Sequence, residues 1–139
     1  MRFSRFIKND YPSLFSISIT IVGIIAIIVS NNSRGFDMKF TIGVSILSLA
    51  TLIIFIRRFL YLKKLFSNGE TVTATVTDTT FLRKNGTITF SYKYAGTEYT
   101  AKNSVTTNRQ TRSIKKENTI EVLVDPTNSA KAYIKELFI

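Results

Sequence analysis

From Phe40 to Ile56 the chain runs seventeen residues without a charge, and the ten that follow carry Arg57, Arg58, Lys63 and Lys64. As a helix, the uncharged run is roughly 25 Å long, a little short of the ~30 Å hydrocarbon core of a bilayer. Lys39 and Arg57 flank it, and their long stems can carry charge out to the headgroups and make up the deficit. A second uncharged run, Ser13 to Ser30, lies just upstream. A chain of 139 residues is too short to bury two such runs in water. The pattern predicts transmembrane helices over about 13–30 and 40–56, with a basic juxtamembrane helix over 57–66 lying along or just above the membrane surface. The link from Asn31 to Lys39, with Gly35 as its bend, is short enough to force an antiparallel hairpin. Residues 1–66 thus form a membrane region.

Charge divides along the same line. Residues 1–66 hold nine Lys/Arg against Asp10 and Asp37, a net +7; residues 67–139 hold ten against seven acids, a net +3. The excess is juxtamembrane, which suits a bilayer with anionic headgroups as its partner and argues against nucleic acid. Arg57, Arg58, Lys63 and Lys64 are the candidate membrane-surface residues. The head has Arg2, Arg5 and Lys8, the link only Arg34 and Lys39, and the segment after the second run four cations. Counting Lys and Arg near the span ends predicts both termini in the cytoplasm. No Ala-x-Ala-like site follows the first run, so it reads as an uncleaved anchor rather than a signal peptide. Phe3, Phe6 and Ile7 are expected in the interface, and Phe59 and Tyr61 in an aromatic belt. Ser16, Thr20 and Gly23 share one helical face, as do Thr41, Ser45 and Ser48. Lipid supplies no hydrophobic drive between helices, so these small side chains are the expected contact.

After Ser67-Asn68-Gly69, where Gly69 suits a left-handed helix C-cap, the apolar period changes from 3.6 to 2. Thr71 to Thr77 alternates, with Val72, Ala74 and Val76 on one face. Thr87 to Tyr94 alternates again, with Ile88, Phe90, Tyr92 and Tyr94 inward. Between them Asn85-Gly86 predicts a tight hairpin turn. Ala95-Gly96 is a second turn, after which Thr97 to Ala101 returns. Asn103 to Asn118 reads as a long polar loop or a ragged edge. Thr119 to Val124 is the next strand, and Asp125-Pro126-Thr127-Asn128 the next turn. Ala130 to Phe138 reads as a fraying strand or a short helix. The fold class is therefore a membrane α-helical hairpin of two transmembrane helices plus a small all-β antiparallel domain, over 67–139, closed as a barrel or packed as a sandwich of about five strands.

The sequence has no histidine and no cysteine. That removes disulfides, thiolate metal sites, and the commonest general base and metal ligand. The acids after residue 67 are scattered, and no glycine-rich phosphate loop occurs. No catalytic, cofactor or metal residues are assigned, and no enzyme activity is expected. The basic stretch Arg109, Arg112, Lys115 and Lys116 is the candidate partner patch, facing the inner leaflet or an acidic protein. Tyr92, Tyr94 and Tyr99 read as core and cross-strand packing rather than a base-stacking face.

The segments Gly69-Glu-Thr-Val72-Thr-Ala74-Thr-Val76, Phe90-Ser-Tyr92-Lys-Tyr94-Ala-Gly96-Thr-Glu-Tyr99 and Val122-Leu-Val124-Asp125-Pro126-Thr-Asn128-Ser-Ala130 resemble the bacterial membrane-protein family called domain of unknown function 3592, over residues 69–134. The Gly-x-x-Val-x-Ala start is also similar to NfeD-like membrane-linked barrels; the Asp-Pro ending favours the first family. One departure is that Lys115-Lys-Glu-Asn118 stands where a glycine often precedes the late strand. The resemblance implies one or two spans coupled to a β domain in a bacterial inner membrane, and no catalytic residue. The expectation is a non-enzymatic, membrane-anchored β module that binds a protein partner or assists a membrane complex. An immunity-type protector against a toxin acting at the membrane is the alternative, and a homo-oligomer stays open.

Overall fold

A short helix, α1 (Phe3–Asn9), stops at Asp10, and a new helix starts there. The Asp10 carboxylate accepts the Ser13 backbone N–H at 3.1 Å, as an N-cap does, and Pro12 sits in the first turn where its missing N–H costs nothing. This helix, α2, spans Tyr11–Asn32, and α3 spans Met38–Asn68. The computed structural model describes residues 3–32 and 38–139; residues 33–37 of the link, Arg34 and the expected bend at Gly35 among them, and Arg2 of the head lie outside the described residues. Both α2 and α3 are long and apolar enough to cross a membrane. Their apolar side chains face outward: Ile25, Ile28, Ile46 and Leu49 are 54–65% exposed.

The two helices meet through small polar residues. The Thr20 and Thr51 hydroxyls are hydrogen-bonded at 2.9 Å. Gly23 lies so close to Ser48 that a Cβ there would overlap the Ser48 hydroxyl. Ser16, Thr20 and Ser48 are buried as their spacing predicts, but Ser45 is exposed and donates to Thr41 O of its own helix at 2.7 Å. Thr51 takes its place, because the buried stripe on α3 runs Ser48, Thr51, Phe55, Leu62, Leu65, away from the link. The same stripe explains a second difference. The segment 57–66 continues α3 without a break, and Leu62 and Leu65 are buried rather than laid along a membrane surface. Nor is Phe6 at an interface: it is fully buried, with its ring 5.8 Å from Phe55 and 5.4 Å from Phe59.

One residue separates α3 from the first strand. The Gly69 N–H donates to Leu65 O at 2.6 Å, and Gly69 is not left-handed. Glycine is needed there because a Cβ would overlap the Leu65 carbonyl. The strands are β1 (Glu70–Phe81), β2 (Asn85–Tyr94), β3 (Thr97–Thr106), β4 (Thr119–Asp125) and β5 (Asn128–Ile134), in the order β3-β2-β1-β4-β5 with every neighbouring pair antiparallel. A bulge between Val76 and Asp78 inserts one residue into β1. The inward set therefore changes from Val72, Ala74 and Val76 to Thr79 and Phe81, which is why the alternation in sequence lapses there. The β1–β2 turn is Leu82-Arg83-Lys84, not Asn85-Gly86. Gly86 is paired with Phe81 across the strands, and its missing side chain makes room for the Phe81 ring. At the next turn Ala95 and Gly96 take φ of 49° and 83°, as a two-residue hairpin turn requires.

Thr97 to Ala101 extends to Thr106, so only the end of the expected polar loop is irregular, and it holds a single helical turn, α4 (Arg109–Arg112). Asn108 caps α4: its side chain accepts the Thr111 N–H, while Thr111 Oγ1 accepts the Asn108 N–H. Glu117 then takes a φ of 69°, a left-handed conformation that glycine adopts without strain. The terminal segment is both alternatives in turn: β5, then a 3-10 turn over Lys135–Leu137.

The sheet curls until its outer strands meet, giving a nearly closed barrel rather than a sandwich. Asn103 on β3 closes the seam, donating to Ala132 O and accepting the Ile134 N–H on β5, both at 2.9 Å. Tyr92 donates its hydroxyl to Ser129 O at 2.6 Å beside it. Phe6, Phe55, Leu62 and Leu65 of the helices belong to one buried cluster with Ile88, Phe90, Val122, Val124 and Leu137 of the β module.

Candidate interaction surfaces

Of the four cations after the second apolar run, Arg57, Lys63 and Lys64 are exposed, and Arg58 is not free. Its guanidinium donates from Nε and Nη2 to the two oxygens of Asp10, both at 2.7 Å. The Asp10 side chain is 2% exposed. It also accepts the Ser13 N–H and the Ser13 hydroxyl at Oδ2, so four hydrogen bonds answer the buried carboxylate. Asp10 further forms an isolated antiparallel bridge with Val105 of β3. One residue thus caps α2, holds α3 through a two-pronged ion pair, and touches the barrel. Beside it, the Asn9 amide donates to Leu137 O at 2.5 Å, and Asn108 donates to Asn9 Oδ1 at 2.8 Å. The Arg58 guanidinium also lies 5.8 Å from the Tyr133 ring. Sequence reasoning gave Asp10 no role. The signal was there: a lone acid in a basic head, at the start of an apolar run and two residues before a proline.

One turn further along α3 the Tyr61 hydroxyl donates to Asp125 at 2.8 Å. Asp125 also accepts the Thr127 hydroxyl at 2.6 Å and the Thr127 N–H at 2.9 Å. The Thr127 hydroxyl first, and these N–H and Tyr61 donors with it, hold the Asp125 carboxyl below the usual carboxylate range.

The basic patch divides. Lys115 and Lys116 are exposed on the turns before β4. Arg109 and Arg112 instead line a groove with Thr107, Asn108 and Ser113, and Arg83 from the β1–β2 turn joins them. Arg83 and Thr107 also line a second groove, with Lys84, whose opposite wall is Tyr11, Leu14, Phe15 and Ser18 of α2. The turn is stapled in place: Thr107 donates its hydroxyl to Leu82 O at 3.0 Å and its N–H to Lys84 O at 3.1 Å.

A third surface is the barrel seam. Thr100, Lys102 and Asn103 face Ala130, Lys131 and Tyr133 across a cleft between the β3 and β5 edges. Lys102 and Lys131 are exposed there. The nearby Tyr92 and Tyr99 rings stack at 5.8 Å and 23°, with Tyr92 3% exposed. Burial, with the Tyr99 phenol close by, pushes the Tyr92 phenol up. Tyr92 therefore packs in the core and is not available to stack on a base. Among the described residues no group of three Asp or Glu could hold a metal ion. Comparisons with family models, with curated proteins and with solved structures give no match.

Proposed function

We propose that the chain is a multi-pass protein of a bacterial inner membrane, both termini cytoplasmic, whose barrel binds a protein partner beside the membrane and catalyses no reaction. The observation that carries this reading is the core shared between helices and barrel, which presents the barrel at one angle to α2 and α3. A module meant only to hang from a tether needs no such joint, whereas a docking platform gains from it, because less freedom is lost on binding. The packing of Asn9 against Leu137 puts the N-terminal head beside the C-terminal module, and the count of cations supports the cytoplasm as their side. The resemblance to the domain of unknown function 3592 family implies the same coupling of spans to a β domain.

The seam is the surface best suited to a partner. The β3 and β5 edges there are bridged by the Asn103 side chain and flank a cleft, and Lys102 and Lys131 beside it favour an acidic extended segment. The test is photo-crosslinking in living cells from a photoreactive residue at Lys102 or Lys131, with exposed Thr73 on β1 as the control site. The reading expects one reproducible protein captured from the seam and not from Thr73. Capture of nothing, or the same capture from all three sites, overturns it.

A further inference from the structure

We propose that the groove between α2 and the β1–β2 turn binds one anionic phospholipid of the surrounding bilayer. The inference rests on the reading of α2 as a span, but not on the partner or on the seam.

The groove has two unlike ends. At one lie Leu14, Phe15 and Ser18, in the first two turns of an apolar helix, with Phe15 54% exposed and its ring stacked on Tyr11 at 6.1 Å. At the other lie Arg83 and Lys84, and through the shared residues Arg83 and Thr107 the groove continues to Arg109 and Arg112. All four cations are exposed, and among the described residues none is within ion-pair distance of a carboxylate. An apolar wall leading into a cationic lip matches a molecule with an acyl chain at one end and a phosphate at the other. Arginine suits the phosphate, since its planar fork binds two oxygens at once.

Three details point to a built site rather than a scatter of surface charge. The backbone of the turn that presents Arg83 is held by the two Thr107 hydrogen bonds, so the stem of the cation starts from a fixed point before any ligand arrives. Leu82, next to Arg83 at the tip, is 62% exposed, which is costly in water and favourable at the edge of a bilayer. The buried Thr106 hydroxyl in the groove's wall finds no hydrogen-bond partner among the described residues. The site also differs from the membrane-surface cluster read from sequence. Arg58 of that cluster is occupied by Asp10, whereas Arg83 and Lys84, far from any apolar run in the sequence, are carried back to the span by the fold.

The test is native mass spectrometry of the full chain in neutral detergent, offered phosphatidylglycerol and phosphatidylcholine in equal amounts. The proposal expects a single retained phosphatidylglycerol, at least about tenfold over phosphatidylcholine, as a difference of about 1.4 kcal/mol would give. The Arg83→Gln/Arg112→Gln variant should lose most of that preference, and Lys93→Gln, which changes an exposed cation on β2, should keep it. Equal retention of the two lipids, or equal loss in both variants, overturns the proposal. So does displacement of the lipid by millimolar inorganic phosphate alone, which would mark a free-phosphate site. A photoreactive acyl chain on phosphatidylglycerol, bound to the unmutated chain, gives an independent reading that no folding defect can obscure. Crosslinks at residues 11–18 support the site, and crosslinks only elsewhere contradict it. Since the seam crosslinks do not depend on this lipid, failure of one proposal is distinguishable from failure of the other.

Discussion

Asp10 shows how much one side chain can be asked to hold. A carboxylate this buried is costly unless charge and hydrogen bonds both answer it, and here Arg58 supplies the first and Ser13 the second. Asp10→Asn leaves the shape and removes the charge, stranding a half-buried guanidinium. We expect a loss of about 2–4 kcal/mol in stability, less than for a fully enclosed pair because water still reaches Arg58. Asp10→Asn/Arg58→Met should lie closer to wild type than Asp10→Asn alone, since no unpaired charge remains. Thermal unfolding in detergent checks both, and an unchanged midpoint for Asp10→Asn would show that the ion pair does not hold the joint. Asp125 gives a pH signature. Its folded carboxyl titrates below its unfolded value of 3.8, so the stabilisation it brings is present above about pH 4 and disappears as the pH falls through the lower, folded value. The acid limb of wild-type unfolding should therefore be steeper than that of Asp125→Asn. Identical acid limbs would remove Asp125 from the account.

The hairpin and the strands differ in how openly the sequence declares them. That Gly23 and Ser48 lie on the small-residue faces of the two helices was legible from helical spacing, because close approach in lipid demands small residues; that they face each other was not. Gly23→Ala is expected to cost about 1–2 kcal/mol by forcing the added methyl onto the Ser48 hydroxyl. Ser48→Ala removes a buried hydroxyl that has no hydrogen-bond partner among the described residues and should be neutral or stabilising; combined with Gly23→Ala it should recover most of the loss. A double variant no better than Gly23→Ala would mean that the helices do not meet at this point. Ser45 was misassigned because spacing marks a face but not where along the helix the partner leaves it. The strands were legible wherever the period-2 alternation was clean. It failed at Thr77, where a bulge inserts one residue, and at Asn85-Gly86, where a favoured turn dipeptide serves instead as space for a ring. No local pattern distinguishes those uses of glycine. Arg109 and Arg112 were named from sequence, but Arg83 was not joined to them. Arg83 and Arg112 are far apart in the chain, and the pairing of β2 with β3, which sets Asn85 opposite Thr106, brings them to one lip.

For the molecule as a whole, residues 1–66 and 67–139 are distinct in composition but not in packing. Leu62 and Leu65 of the long helix and Phe6 of the head are buried in the same cluster as the strands. The barrel is a small one, near the size at which a core alone is marginal, and the helices supply part of what it lacks. The shared core predicts a mechanical consequence: the hairpin and the barrel move as one body. Because the chain contains no cysteine, labels can be placed singly without first removing native thiols. The most direct test is the distance distribution between spin labels at Ile28→Cys, exposed far along α2, and Glu98→Cys, exposed on β3, measured by pulsed electron resonance in lipid nanodiscs. A rigid joint predicts one narrow distribution, broadening when Asp10→Asn is added; a broad distribution in the otherwise unaltered chain would contradict it.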